Sequence, residues 1–89
     1  MKHFTIVVSG KVQGVFFRAS ARDVAEKSGV KGFVKNQPDG GVLLEAEGDE
    51  ENLNQFIEWC RHGPPRAEVT DVIVTEGMVV NFKNFEIRR

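Results

Sequence analysis

The sequence predicts an α+β domain in which two helices lie on one face of a mostly antiparallel sheet of four to five strands. Three observations predict it. Apolar residues alternate over residues 2–9 and again over 68–76, which is the two-residue period of a half-buried strand. The period changes to a helical one at Phe17, Ala21, Val24 and Ala25, and again at Leu53, Phe56, Ile57 and Cys60. Between these runs stand clusters of glycine, proline, aspartate and asparagine, the residues that end elements and make turns.

Taken in order, Phe4, Ile6 and Val8 form one side of the first strand, and His3, Thr5, Val7 and Ser9 form the other. A glycine-punctuated turn follows, and then a helix for which Gly29 is the C-terminal stop. Residues 30–36 and 41–48 read as two strands joined by Pro38-Asp39-Gly40-Gly41, a hairpin signal. Asp49 is placed to cap the second helix, with Glu50 and Glu51 complementing its dipole in the first turn. Gly63-Pro64-Pro65 ends that helix, residues 68–76 form a strand, and Phe85-Glu86-Ile87 makes a short last one. The order β-α-β-β-α-β plus one short strand is the split β-α-β arrangement of ferredoxin-like sandwiches.

Eighty-nine residues, with no internal repeat, linker or low-complexity stretch, are read as one domain over 1–89. A content of 40% hydrophobic and 28% charged residues fits a globular chain. The net charge of -1 argues against nucleic acid as a partner, because such a footprint needs a basic face. Lys31-Gly32-Phe33-Val34 echoes an RNA-recognition signature, but the match fails after its third position. No signal sequence and no apolar run long enough to span a bilayer is present, so no membrane partner is expected. Cys60 is the single cysteine and cannot form an internal disulfide, which favours a reducing, cytoplasmic setting. A monomer is expected of so small a domain.

The chemistry concentrates in Gly10-Lys11-Val12-Gln13-Gly14-Val15-Phe16-Phe17-Arg18, which joins a strand to a helix. Two readings fit it. In one, Gly10 and Gly14 shape a turn and Arg18 is a solvated residue of the first helical turn. In the other, backbone amides converge with the helix N-terminus to cradle an oxyanion, and Arg18 adds a fixed bidentate charge. An arginine at that end of a helix opposes the dipole by about 0.3–1 kcal/mol unless an anion is present, which favours the cradle. The segment lacks the ending of a P-loop and the spacing of a dinucleotide motif.

Asn36, closing the strand before the hairpin, reads either as a turn residue or as an amide that positions a water. His3 and His62 stand at no metal-ligand spacing with Cys60 or a carboxylate, so no metal site is expected. Cys60 reads as a small buried hydrophobe and Trp59, off the main apolar stripe, as a packing residue. Glu45 and Glu47 share one face of their strand and read as belonging to a solvated sheet surface, and Arg88-Arg89 as a solvated tail.

Together these residues resemble the acylphosphatase family. The signature G-x-V-Q-G-V-x-F-R is intact as Gly10 to Arg18, and a second, G-aromatic-V-K/R-N, is intact as Gly32-Phe33-Val34-Lys35-Asn36. The likeness continues through Asp39-Gly40, Gly63-Pro64-Pro65-Arg66-Ala67 and Phe85-Glu86-Ile87, so it covers essentially the whole chain. It implies hydrolysis of the carboxyl-phosphate bond of acyl phosphates, with inorganic phosphate released, without metal or cofactor. It implies further that Arg18 binds the phosphate, that Asn36 orients the attacking water, and that the amides of Gln13, Gly14, Val15, Phe16, Phe17 and Arg18 hold the phosphoryl oxygens. The other function class is a module that binds phosphate or carbamoyl phosphate without turning it over. The presence of both Arg18 and Asn36 favours the enzyme.

Overall fold

The computed structural model describes residues 1–89 and contains five strands and two helices in the expected order. They are β1 (Lys2–Lys11), α1 (Phe17–Ser28), β2 (Lys31–Asn36), β3 (Val42–Gly48), α2 (Glu50–Cys60), β4 (Glu68–Gly77) and β5 (Phe85–Arg88). The sheet runs β4-β1-β3-β2-β5. Its first four strands pair antiparallel, while β5 joins β2 in parallel, with Gly32 opposite Phe85 and Val34 opposite Ile87. The sheet is therefore mixed at one edge, which brings the end of the chain alongside β2.

Register decides which side chains form the core. Ile6 faces Leu44, Val8 faces Val42 and Val34 faces Leu44, and all of these are fully buried under the helices. Helix α1 contributes Phe17, Ala21 and Ala25, and α2 contributes Leu53, Phe56, Ile57 and Cys60. Trp59 is half-buried and packs on Phe17 at 5.2 Å and Phe56 at 6.3 Å between ring centroids, the packing role expected of it. Truncating a core side chain such as Leu53 to alanine would cost about 2–5 kcal/mol. No helix is long and apolar enough to cross a membrane.

Helix ends follow the local sequence with one exception. Gly29 takes a left-handed φ of 70° and its N–H reaches the Ala25 carbonyl, closing α1. Asp49 occupies the cap of α2, but its side chain makes no capping hydrogen bond, so its contribution there is charge beside the dipole. The hairpin between β2 and β3 is closed by Gln37 and Gly41, and the Asp39 carboxylate accepts the Gly41 N–H at 2.9 Å.

The far face of the sheet departs from the expected solvated surface. Glu47 is 2% exposed and its carboxylate accepts from His3 Nδ1 at 2.7 Å. It also accepts the backbone N–H groups of Val80, Asn81 at 2.9 Å and Phe82 at 3.0 Å. His3 Nε2 meets Glu45 Oε1 at 2.5 Å, and Glu45 also accepts from the Thr5 hydroxyl at 2.8 Å. The segment after β4 is thereby folded back over this end of the sheet, where Phe82 packs on His3 and edge-on against Phe33. Glu47 is thus a buried clamp, because the returning chain supplies donors that outweigh its desolvation.

Candidate active site

Glycine enters this region for two different reasons. Gly10 lies within β1 beside an irregularity in its pairing with β4, at φ 122°, and a β-carbon there would sit 2.1 Å from the Glu68 carbonyl oxygen. Gly10 thus belongs to β1, which extends to Lys11, and not to the turn that the sequence predicts it to shape with Gly14. Gly14 has φ 73° and nothing within 4 Å of where a β-carbon would stand. It is required for backbone direction and not for space.

The turn then passes through Phe16, at φ 65° and ψ 25°, into α1. A left-handed conformation costs a residue with a β-carbon about 1–2 kcal/mol, and here it swings the chain into the helix. The first amide of α1 to meet a carbonyl of the turn is that of Ser20, which reaches Phe16 O at 3.0 Å. The N–H groups from Gln13 to Ala19 donate to no backbone carbonyl. With no acidic residue in the first turn and no capping side chain, this helix end presents unopposed positive potential.

These elements enclose a cavity of about 300 Å³. Gly14, Arg18 and Asn36 form its polar part. Val12, Phe16, Phe17, Ala19 and Ile87 form its apolar part. Arg18 is half-buried, and one guanidinium nitrogen donates to the Arg88 carbonyl at 3.1 Å, which tethers the fork to β5 and leaves its other donors unclaimed. The Arg88 guanidinium lies 4.0 Å from the centre of the Phe33 ring and its Nε 3.2 Å from Glu86 Oε2. Arg88 and Arg89 are exposed, as the reading of a solvated tail has it, while the Arg88 backbone carbonyl enters the site through Arg18. Asn36, the last residue of β2, comes to the same cavity from the sheet side.

Two expected contributors send their side chains elsewhere. Val15 is 5% exposed and packs in the core, so only its backbone faces the turn. The Gln13 carboxamide donates to the carbonyls of Gln37 at 2.8 Å and Gly41 at 2.9 Å, on both sides of the hairpin base that directly follows Asn36. That staple joins the cradle to the strand carrying Asn36. Of the residues expected in the site, Gly14, Phe16, Phe17, Arg18 and Asn36 line one cavity, and Gln13 braces it. Ile87, Val12 and Ala19 were not anticipated as wall residues. Ile87 carried no local signal, since only the parallel pairing of β5 with β2 brings it there.

No group of three or more His, Cys, Asp or Glu side chains is arranged to hold a metal ion. Cys60 lies in the core away from the cavity, and burial pushes its thiol far above the usual range despite the nearby Arg61 charge. It is chemically silent in the fold.

Comparison with known proteins gives a consistent result. The family model described as Acylphosphatase matches residues 4–87. An acylphosphatase from Methylococcus capsulatus is 47% identical over 90 residues, spanning 100% of this chain and 98% of that one. The crystal structure of acylphosphatase from Bacillus subtilis superposes with a TM-score of 0.97 at 40% identity and covers 100% of both chains. A full-length HypF in a phosphate- and nucleotide-bound form is also similar, with a TM-score of 0.88 at 31% identity over 99% of this chain, but only 12% of that chain is covered.

Proposed function

The chain belongs to the acylphosphatase family, hydrolases of acid anhydrides, and from that premise we propose that it cleaves acyl phosphates in the cavity between the 12–19 turn and the end of β2. The observation that carries this reading is the convergence of unpaired turn amides, Arg18 and Asn36 on one cavity. The amides from Gln13 to Arg18 receive the phosphoryl oxygens, and Arg18, braced by the Arg88 carbonyl, adds charge-assisted donors. Asn36 holds a water for in-line attack on phosphorus. The bond from phosphorus to the acyl oxygen breaks as the new bond to the water oxygen forms, and the water proton passes to a phosphoryl oxygen.

The side-chain inventory suits this reaction. The leaving group is a carboxylate, a weak base that departs without a general acid. Charge in the loose transition state spreads over the equatorial oxygens, so positioning and oriented dipoles provide most of the acceleration. The substrates are small acyl phosphates, and inorganic phosphate binds as product. We take the domain to be residues 1–89 and to act as a monomer in the cytoplasm without cofactor, nucleic acid or membrane partner.

The test is hydrolysis of benzoyl phosphate in the presence of a metal chelator by the parent, Arg18→Gln and Asn36→Ala. Turnover by the parent is expected, with Asn36→Ala losing kcat while retaining inhibition by phosphate, and Arg18→Gln losing both. A folded parent that binds phosphate and turns nothing over would make this a binding module for phosphate or carbamoyl phosphate.

A further inference from the structure

The cavity extends beyond what a phosphoryl group occupies. Its volume, about 300 Å³, reaches the range of pockets that hold small organic ligands. The amides, Arg18 and Asn36 account for its polar part. What remains is an apolar wall whose two solvent-facing members are Phe16, 73% exposed, and Ile87, 36% exposed.

Single exposed apolar side chains are ordinary, but these two differ in origin. Phe16 comes from the turn and Ile87 from β5, and only the tertiary fold places both on the cavity that holds the cradle. Phe16 also stands at a left-handed φ that glycine adopts without strain, as Gly14 does two residues earlier. The turn thus places a large ring in solvent at a position where the backbone alone would favour no side chain. Arg18 is the one charged residue of the lining, and its charge belongs to the phosphoryl end. A second anionic group on a substrate would find no further cation in the lining.

We propose that Phe16 and Ile87 form a subsite for the acyl end of the substrate and favour acyl phosphates with apolar acyl groups. This rests on the reading of the cavity as the hydrolytic site. A chain or ring extending from the anchored phosphoryl group covers Phe16 and Ile87, and each methylene removed from water strengthens binding in ground and transition state alike. A fully covered methylene corresponds to about a fourfold gain in kcat/KM, which sets the upper limit per carbon.

The experiment measures kcat/KM for acetyl, butyryl and hexanoyl phosphate, whose leaving carboxylates have nearly the same basicity, and for succinyl phosphate, which carries an extra carboxylate. Parent, Ile87→Ser and Phe16→Asn are compared; asparagine tolerates the left-handed backbone at position 16. The parent is expected to prefer butyryl to acetyl phosphate by about tenfold, from the gain per methylene, and to use succinyl phosphate less well than butyryl phosphate. Each variant is expected to flatten the butyryl-to-acetyl ratio toward unity, and any loss common to all substrates cancels in that ratio. A parent that hydrolyses acetyl phosphate with no chain-length dependence, or variants that keep the parental ratio, would overturn the subsite alone. A folded parent inactive on every substrate would instead overturn the hydrolytic reading, and the subsite with it.

Discussion

Replacing Glu47 by glutamine tests whether the clamp on the far face of the sheet holds the 78–84 segment. The carboxylate accepts two backbone N–H groups at Oε1, and one backbone N–H plus His3 Nδ1 at Oε2. A carboxamide has one oxygen, so in either orientation its NH2 group faces at least one partly buried N–H that loses its acceptor. A donor left facing the buried carboxamide without an acceptor costs about 1–3 kcal/mol, and the lost attraction to buried His3 brings the total to about 2–4 kcal/mol. For a domain of this size that is a fall in melting temperature of about 8 °C or more.

The pH dependence has a definite sign. For His3, burial opposes the charged form, but hydrogen bonds and attraction from Glu47 and Glu45 outweigh it and raise its pKa above 6.5. Its contribution is complete below 6.5 and fades as pH rises through the higher folded value. For Glu47, burial again opposes ionisation, but the Val80, Phe82 and Asn81 amides with His3 outweigh it and hold the carboxyl below 4.5. Its contribution is complete above 4.5 and fades as pH falls through the lower folded value. The clamp is strongest between these limits. Thermal unfolding followed by circular dichroism is expected to show the largest gap between parent and Glu47→Gln at about pH 5.5, narrowing at a pH above the raised His3 value, where His3 has lost its proton. Amide exchange at Val80, Asn81 and Phe82 should accelerate in the variant. Melting within about 2 °C of the parent at the lower pH, or a gap of equal size at both, would refute the reasoning.

Gly32→Ala is expected to destabilise by more than about 3 kcal/mol, read from urea unfolding. Its φ is 145° and an added β-carbon would stand 1.7 Å from the Glu45 carbonyl oxygen, in the middle of the β2-β3 pairing. Gln13→Ala removes both staples between the cradle and the hairpin base, so kcat should fall about ten- to a hundredfold with a smaller change in phosphate inhibition, measured by steady-state kinetics. Cys60 should stay unreactive toward an aromatic disulfide reagent in the native protein at neutral pH and react promptly once the chain is unfolded in denaturant.

Much of this molecule was legible in its sequence, because the signals involved are local. The alternation along β1, the apolar stripe of α2 at Leu53, Phe56, Ile57 and Cys60, and the stop at Gly29 each depend on neighbours within a few residues. The turn with Gly14, Phe16, Phe17 and Arg18 was legible for the same reason, as a strand-to-helix junction whose amides have nowhere else to go. Asn36 stood at the end of a strand in plain view, but its presence at the cavity depends on β2 lying where its pairing with β3 places it.

What only the tertiary structure decided involves residues far apart in the chain. Glu47 looked solvated because strand alternation assigns a face but does not say what covers it; the 78–84 segment, more than thirty residues later, supplies the donors that permit its burial. Gln13 reads as part of a loop until the hairpin base brings the Gln37 and Gly41 carbonyls to it. Ile87 and the Arg88 carbonyl enter the site only because β5 adds to β2 in parallel, and a slip of one residue would turn Ile87 to the opposite face. Periodicity and turn chemistry determine elements by short-range sterics. Register across strands and the landing place of a returning segment are determined by the whole packed core, and they set the walls of the cavity.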